Sequence, residues 1–217
     1  MSIKLPGATN GSVELDVPAA IGSDVSLTIP GTTGTVLAAP GNTNITVPSS
    51  DGTLDRLERA GNILQVVSVT KTNTFSASSG AVADVPGLQP TITPTSTSSK
   101  ILILTDVAIA AASGGHRAAC RVIRRIGGVD STITEGDANG SRTRTMWASH
   151  LTQLNGFMHR ANIQHLDSPN STNSITYVFQ LQRIDLGTIT VNLGYNDSDT
   201  SSHGAPISSV TLLEVAA

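Results

Sequence analysis

Between Ala8 and Pro48 the chain alternates apolar and polar side chains in short runs, each closed by a proline: Gly11 to Pro18, Gly22 to Pro30, Gly31 to Pro40 and Gly41 to Pro48. Val13, Leu15 and Val17 share one face, as do Val25, Leu27 and Ile29, which is the period of a half-buried strand. Proline ends each run because it lacks the N–H that a ladder needs. No aromatic residue precedes Phe75, so strands this short bury too little surface to offset their own ordering entropy. Stacked copies, or several chains wound about one axis, supply the missing partners. Residues 1–53 are therefore expected to form a repetitive β arm or stalk that orders in an oligomer.

The period changes at Leu54. Thr53 is a capping residue, Asp55 falls in the first turn, Arg59 stands near the end and Gly61 is a stop, so residues 54–62 are expected to form a brief helical neck. Two turns are too few to be stable alone. Leu54, Leu57 and Leu64 would make its apolar stripe, packed either on the following domain or where three chains meet.

From Ile63 onward the pattern is that of strands, and residues 63–217 are expected to form a head domain. Expected strands run from Asn62 to Asn73, Val82 to Val85, Gln89 to Thr93, Ser99 to Ala112, His116 to Ile126, Ser141 to Leu154, Phe157 to His165, Ser174 to Ile184, Thr188 to Leu193 and Ile207 to Val215. Gly, Asn, Asp, Ser or Pro stand at nearly every junction, and Ser76 to Gly80 reads as a turn. Ser99 to Ala112 is apolar on both faces, as a central strand is. In Ser174 to Ile184, Ile175, Tyr177, Phe179 and Leu181 share a face opposite Thr176, Gln180 and Gln182. Short strands with no helical period between them predict an all-β head, an antiparallel two-sheet sandwich of jelly-roll-like form.

Composition narrows the function. The 217 residues carry a net charge of −3, 13% charged residues and 3% aromatics. Nucleic-acid binding calls for a basic stripe, and Arg117, Arg121, Arg124 and Arg125 are the only cluster. The single cysteine, Cys120, rules out an intrachain disulfide and a Cys-based zinc site, and reads as a small buried hydrophobe. The opening MSIKLPGATNG has no charged and then apolar leader, and the longest apolar run is too short to span a bilayer, so neither general secretion nor membrane insertion is expected.

Three stretches together resemble virion fibre proteins of tailed bacteriophages, particularly those of marine and freshwater bacteria, cyanophages among them. They are GSVELDVPAAIGSDVSLTIP leading to GTTGTVLA, the link DGTLDRL, and ILQVVSVTKTNTFSASSGAVADVPGLQPTITPTSTSSKILILTDV; the terminal SSVTLLEV adds to them. Gly114 to Gly204 is unmatched. The resemblance implies a homotrimeric structural protein of the virion, assembled in the host cytoplasm, with no catalytic residues to carry over. Two positions in the particle stay open: a tail fibre, attached through its arm to other virion proteins and presenting the head to a host-surface glycan or protein, or a capsid decoration or head-fibre protein whose arm clamps the shell.

Candidate chemistry is sparse, and no enzyme and no cofactor are expected. Asp106, Asp130, Glu135, Asp137, Asp167, Asp185, Asp197, Asp199 and Glu214 form no recognisable glycosidase pair, and no G-x-S-x-G elbow occurs. Asn196, Asp197 and Asp199 cluster in one loop, either a solvated hairpin tip or a hard-cation site. His150, His159 and His165 are expected either as ordinary strand residues, with His159 and His165 on one face, or as a site where copies of one His meet across a trimer axis and bind a metal. Arg121 and Arg125 flank Ile123 opposite Arg124, to pair with carboxylates at a subunit interface or to bind an acidic glycan. Trp147 is either core or a ligand platform. With Tyr195, Asn196, Asp197 and Asp199 it makes the candidate receptor-contact set.

Overall fold

A computed structural model describes residues 60–78, 82–112, 116–151, 157–185, 187–194 and 198–217, all within the compact unit Thr53–Ala217. The arm at 1–53, Leu54 and Leu57 of the neck, and Tyr195, Asn196 and Asp197 lie outside the described residues.

Twelve strand segments make up the described residues: β1 (Ile63–Lys71), β2 (Phe75–Ala77), β3 (Val82–Asp84), β4 (Thr91–Ile92), β5 (Lys100–Ala111), β6 (His116–Ile126), β7 (Val129–Thr132), β8 (Trp147–Leu151), β9 (His159–Asp167), β10 (Ile175–Arg183), β11 (Ile189–Val191) and β12 (Ser208–Val215). All pairings are antiparallel, in two sheets of six. In the first, β5 carries β12 and then β11 along one edge and β9 along the other, with β1 outside β12 and β2 outside β11. In the second, β10 lies between β6 and the pair β3 and β4, and β6 carries β7 and β8 on its far edge.

Four of these strands are continuous and four are interrupted. β1/β2, β3/β4, β7/β8 and β11/β12 each run on past a break along the same neighbour. Counted so, eight strands lie in the order 1-8-3-6 in one sheet and 2-7-4-5 in the other, which is the order of a jelly roll. A single core joins the sheets: Ile101, Ile103, Val107 and Ile109 of β5, Val210 and Leu212 of β12, and Ile175, Tyr177, Phe179 and Leu181 of β10 are all sealed within it. Each such side chain contributes about 1.5–3 kcal/mol by burial. The alternation in Ser174 to Ile184 put this face inward.

The breaks have local causes. β3 and β4 are parted by Val85-Pro86-Gly87, where Pro86 has no N–H and Gly87 has φ of +83°. Backbone bonds to β10 resume at once, from Phe179 N–H to Leu88 O and from Tyr177 N–H to Pro90 O. β1/β2 and β11/β12 break side by side, at Lys71–Asn73 and at Asn192. The buried Asn192 takes φ of +57°, and its amide donates to Lys71 O (2.9 Å) and Asn73 O (3.2 Å) while accepting from the Ser208 hydroxyl.

Several expectations are corrected. Leu64 stands in β1, half-buried at an irregularity in the pairing with β12, so it does not continue a helical stripe. Ser76 belongs to β2 rather than to a turn, because Phe75–Ala77 pairs with β11. β7 has no period of its own and exists by pairing with the end of β6. The strand expected over Ser141 to Leu154 starts only at Trp147, because the Thr145 hydroxyl and the Met146 N–H turn inward to Cys120 O. β5 is covered on both faces only over its second half: Ala108 and Ala110 are buried, but Leu102 and Leu104 are half-exposed and Asp106 is exposed.

Candidate functional site

The head has two distinct ends. At the first, Gly61 N–H donates to Ala216 O and Ala216 N–H to Asn62 O, so residues 1–59 join the sandwich beside its C-terminal strand. β1 and β2 together run from this end to the other, since Ile63 lies opposite Val215, Lys71 opposite Ser208 and Ala77 opposite Ile189. The connections β2–β3, β5–β6, β8–β9 and β10–β11 all turn at the far end, as the register of Ala77 with Ile189, Ile189 with Ala111, His116 with Leu151 and Arg183 with Ala118 requires. In a jelly roll the four loops of one end come from four different strand pairs, and such loops are where binding residues collect.

The described residues of the loop end are tied together by ion pairs and carbonyl contacts. Asp185 accepts from the Arg117 N–H at 3.0 Å, lies 3.5 Å from the Arg117 guanidinium and lies 3.6 Å from His116 Nδ1. The Arg183 guanidinium donates to Ser78 O and Gly187 O, linking the β2–β3 and β10–β11 connections. Gly187 has φ of +120°, and a Cβ there would stand 2.0 Å from His116 Nε2. Only glycine fits this turn. Phe157 and Ile184 are exposed among these polar groups, and the Phe157 ring meets His159 edge-on at 5.1 Å.

The long β11–β12 connection leaves from mid-sheet, since Asn192 N–H bonds Ala108 O and the Ser208 hydroxyl accepts from Ala108 N–H. A cavity of about 300 Å3 there is lined by Ser198, Asp199, Thr200, His203, Gly204 and Ala205. His203 Nδ1 accepts from the Ser198 N–H, and Asp199 is exposed. Of the candidate receptor-contact set, Asp199 thus lies in an open polar loop. Trp147, the first residue of β8, is half-buried and packed against the core, away from that loop in sequence and on the opposite sheet.

The arginine cluster finds its carboxylates within one chain. Arg124 points into the sandwich and donates through one nitrogen to both oxygens of Asp167 (2.9 and 3.0 Å), which also accepts from the Tyr177 hydroxyl at 2.7 Å. Burial, then the Asp167 bond, pushes the Tyr177 phenol far up. On the opposite face Arg121 pairs with Glu135 and Gln180, and Arg125 with Asp130 and Asp84. The hydrogen bond from Arg125 holds the Asp130 carboxyl below its usual value. Ile123 lies buried between these pairs, as the sequence spacing proposes. Pairing across an interface is therefore replaced by pairing between strands, because β3, β7 and β9 bring Asp84, Asp130 and Asp167 into reach. Cys120 is fully buried, which pushes its thiol up.

Five of the nine carboxylates considered for glycan cleavage stand in ion pairs: Asp106 with Arg160, Asp130 with Arg125, Glu135 with Arg121 and Arg144, Asp167 with Arg124, and Asp185 with Arg117. His159 and His165 share the inward side of β9 and His150 is exposed on β8. Among the described residues no group of three or more His, Cys, Asp or Glu side chains comes together as a metal site, and no helix is long and apolar enough to cross a membrane. The sequence reading missed Phe157 and Ile184 as surface residues of the loop end by assigning both to strands. Their signal was a large apolar residue directly beside a Gly or Asp turn residue.

Neither a family model nor a curated protein matches the sequence. Among solved structures, the VP2 subviral particle of infectious bursal disease virus aligns over 70% of this chain and 38% of its own chain, at 15% identity and a TM-score of 0.30.

Proposed function

We propose that the chain is a non-enzymatic structural protein of a tailed-phage virion, a homotrimeric fibre attached through residues 1–53 that carries its sandwich outward to the host surface. The observation that carries this reading is the polarity of the head: residues 1–59 join at one end, and four inter-strand connections turn at the other. A molecule built to hold on at one end and touch at the other needs this arrangement. The proline-closed cassettes and the resemblance of the first part of the chain to virion fibres support the same reading. Three copies would present three sets of loops, so that contacts too weak singly become effective through valency. Phe157, Ile184 and Arg117 are exposed at the loop end, and Asp199 is exposed in the separate β11–β12 connection.

Quantitative mass spectrometry of purified virions tests the position. A few copies for every hundred major capsid subunits is the expected result. A ratio near one to one or one to two would instead assign the protein to the shell, as a decoration or head-fibre protein, and the loop end would then have no receptor to meet.

A further inference from the structure

The outer face of the β1-β12-β5-β9 sheet carries a straight apolar row. Val66 lies opposite Leu213, Leu213 opposite Leu102, and Leu102 opposite Leu166, one residue from each of four neighbouring strands. Val66 is 58% exposed and Leu166 48%; Ile63, one row nearer the chain entry, is 57% exposed. The next row, Ser68-Thr211-Leu104-Gln164, is uncharged. Charge begins only at the borders, with Lys100 on one side and the Asp106–Arg160 ion pair (3.3 Å) on the other. Contiguous apolar surface of this kind marks an interaction site on a folded domain.

We infer that this face packs on a second copy of the same chain. The inference rests on the oligomeric fibre proposed above and supplies its head-to-head surface. Two observations select this occupant. The row sits at the end of the sandwich where the 59 preceding residues join, so copies whose arms run together bring these ends side by side. The face is also free of charge over its central rows, so identical faces meet without like-charge repulsion, whereas a nucleic acid or an anionic membrane surface would call for basic residues here. Of the exposed large apolar residues, Ile63, Val66, Leu166 and also Val129, at the tip of the β6–β7 turn, lie toward the entry end.

The test is photo-crosslinking of the purified full-length protein with benzoylphenylalanine in place of Leu166, and separately of Val66, using exposed Thr132 on the other sheet as control position. Both target positions are outward-facing, and if one variant misfolds the other still reports. Covalent products at twice the chain mass, mapped to β1, β5, β9 or β12 of another copy and absent from the control, are expected. Crosslinks confined to one chain, including to residues 1–59, or interchain yields equal to those of the control, overturn the assignment. Native mass spectrometry of the unmodified protein separates the two levels. A monomer removes the oligomeric reading itself, while an oligomer without crosslinks from positions 66 and 166 removes only this face.

Discussion

Glu214 is a carboxylate with no exposed surface that nonetheless stays charged. Burial raises its pKa, but hydrogen bonds from the Gln65 amide and the Thr95 N–H and hydroxyl outweigh burial and leave the group below the usual glutamate value. A lowered folded-state pKa gives stability that is present above the unfolded value, about 4.3 for glutamate, and is lost as pH falls through the folded value. Glu214→Gln should cost about 1–3 kcal/mol at neutral pH, because Thr95 and Gln65 lose a charged acceptor. Melting temperatures measured from neutral to acid pH should show the gap between variant and native protein closing below pH about 4. A gap that stays constant would mean that the carboxylate charge is not what holds the β4–β5 connection to β12. Arg124, Asp167 and Tyr177 make a comparable buried set between the sheets, and there the danger is asymmetric: removing one partner of a buried pair strands the other. The sequence made the face of Arg124 legible from its spacing to Cys120, Val122 and Ile126. Its partner was not legible, since Asp167 lies 43 residues on and on another sheet.

At the scale of the elements, strands with strong alternation and clear stops were readable and the weak ones were not. β6 has the ends the sequence predicts, His116 and Ile126, because apolar side chains fill it and Gly127-Gly128 closes it with φ of +56° and +82°. β2 and β7 are only three and four residues long and have no period to detect. They form because neighbours already held in a sheet, β11 beside β5 in one case and β6 in the other, offer unpaired backbone. The breaks within strands are stabilised just as indirectly. Asn192 closes the one between β11 and β12 and, through Lys71 O and Asn73 O, the one between β1 and β2. Asn192→Ala should therefore cost about 2–4 kcal/mol, combining unsatisfied buried acceptors with a left-handed backbone. Asn192→Gly should recover roughly the 1–2 kcal/mol due to that backbone. Urea denaturation of both variants measures the two contributions. Equal losses for alanine and glycine would show that φ carries no cost here.

For the whole molecule, the sandwich has its own core drawn from both sheets. Deleting residues 1–53 should leave a soluble, folded head with a cooperative thermal transition that no longer attaches to particles. A truncated head that is unfolded by circular dichroism, or that still decorates particles normally, would contradict the division into arm and head. The class of this protein was written locally: period-two alternation, proline and glycine stops, scarce charge and one cysteine lead to an all-β chain without any knowledge of what touches what. The jelly-roll order, the pairing of each arginine, the half-open outer face of β5 and the separation of chain entry from loops are long-range facts. They depend on which strands lie side by side and in what register. A shift of one residue between two strands leaves every local pattern intact while turning a buried face outward, so only the folded arrangement could settle them.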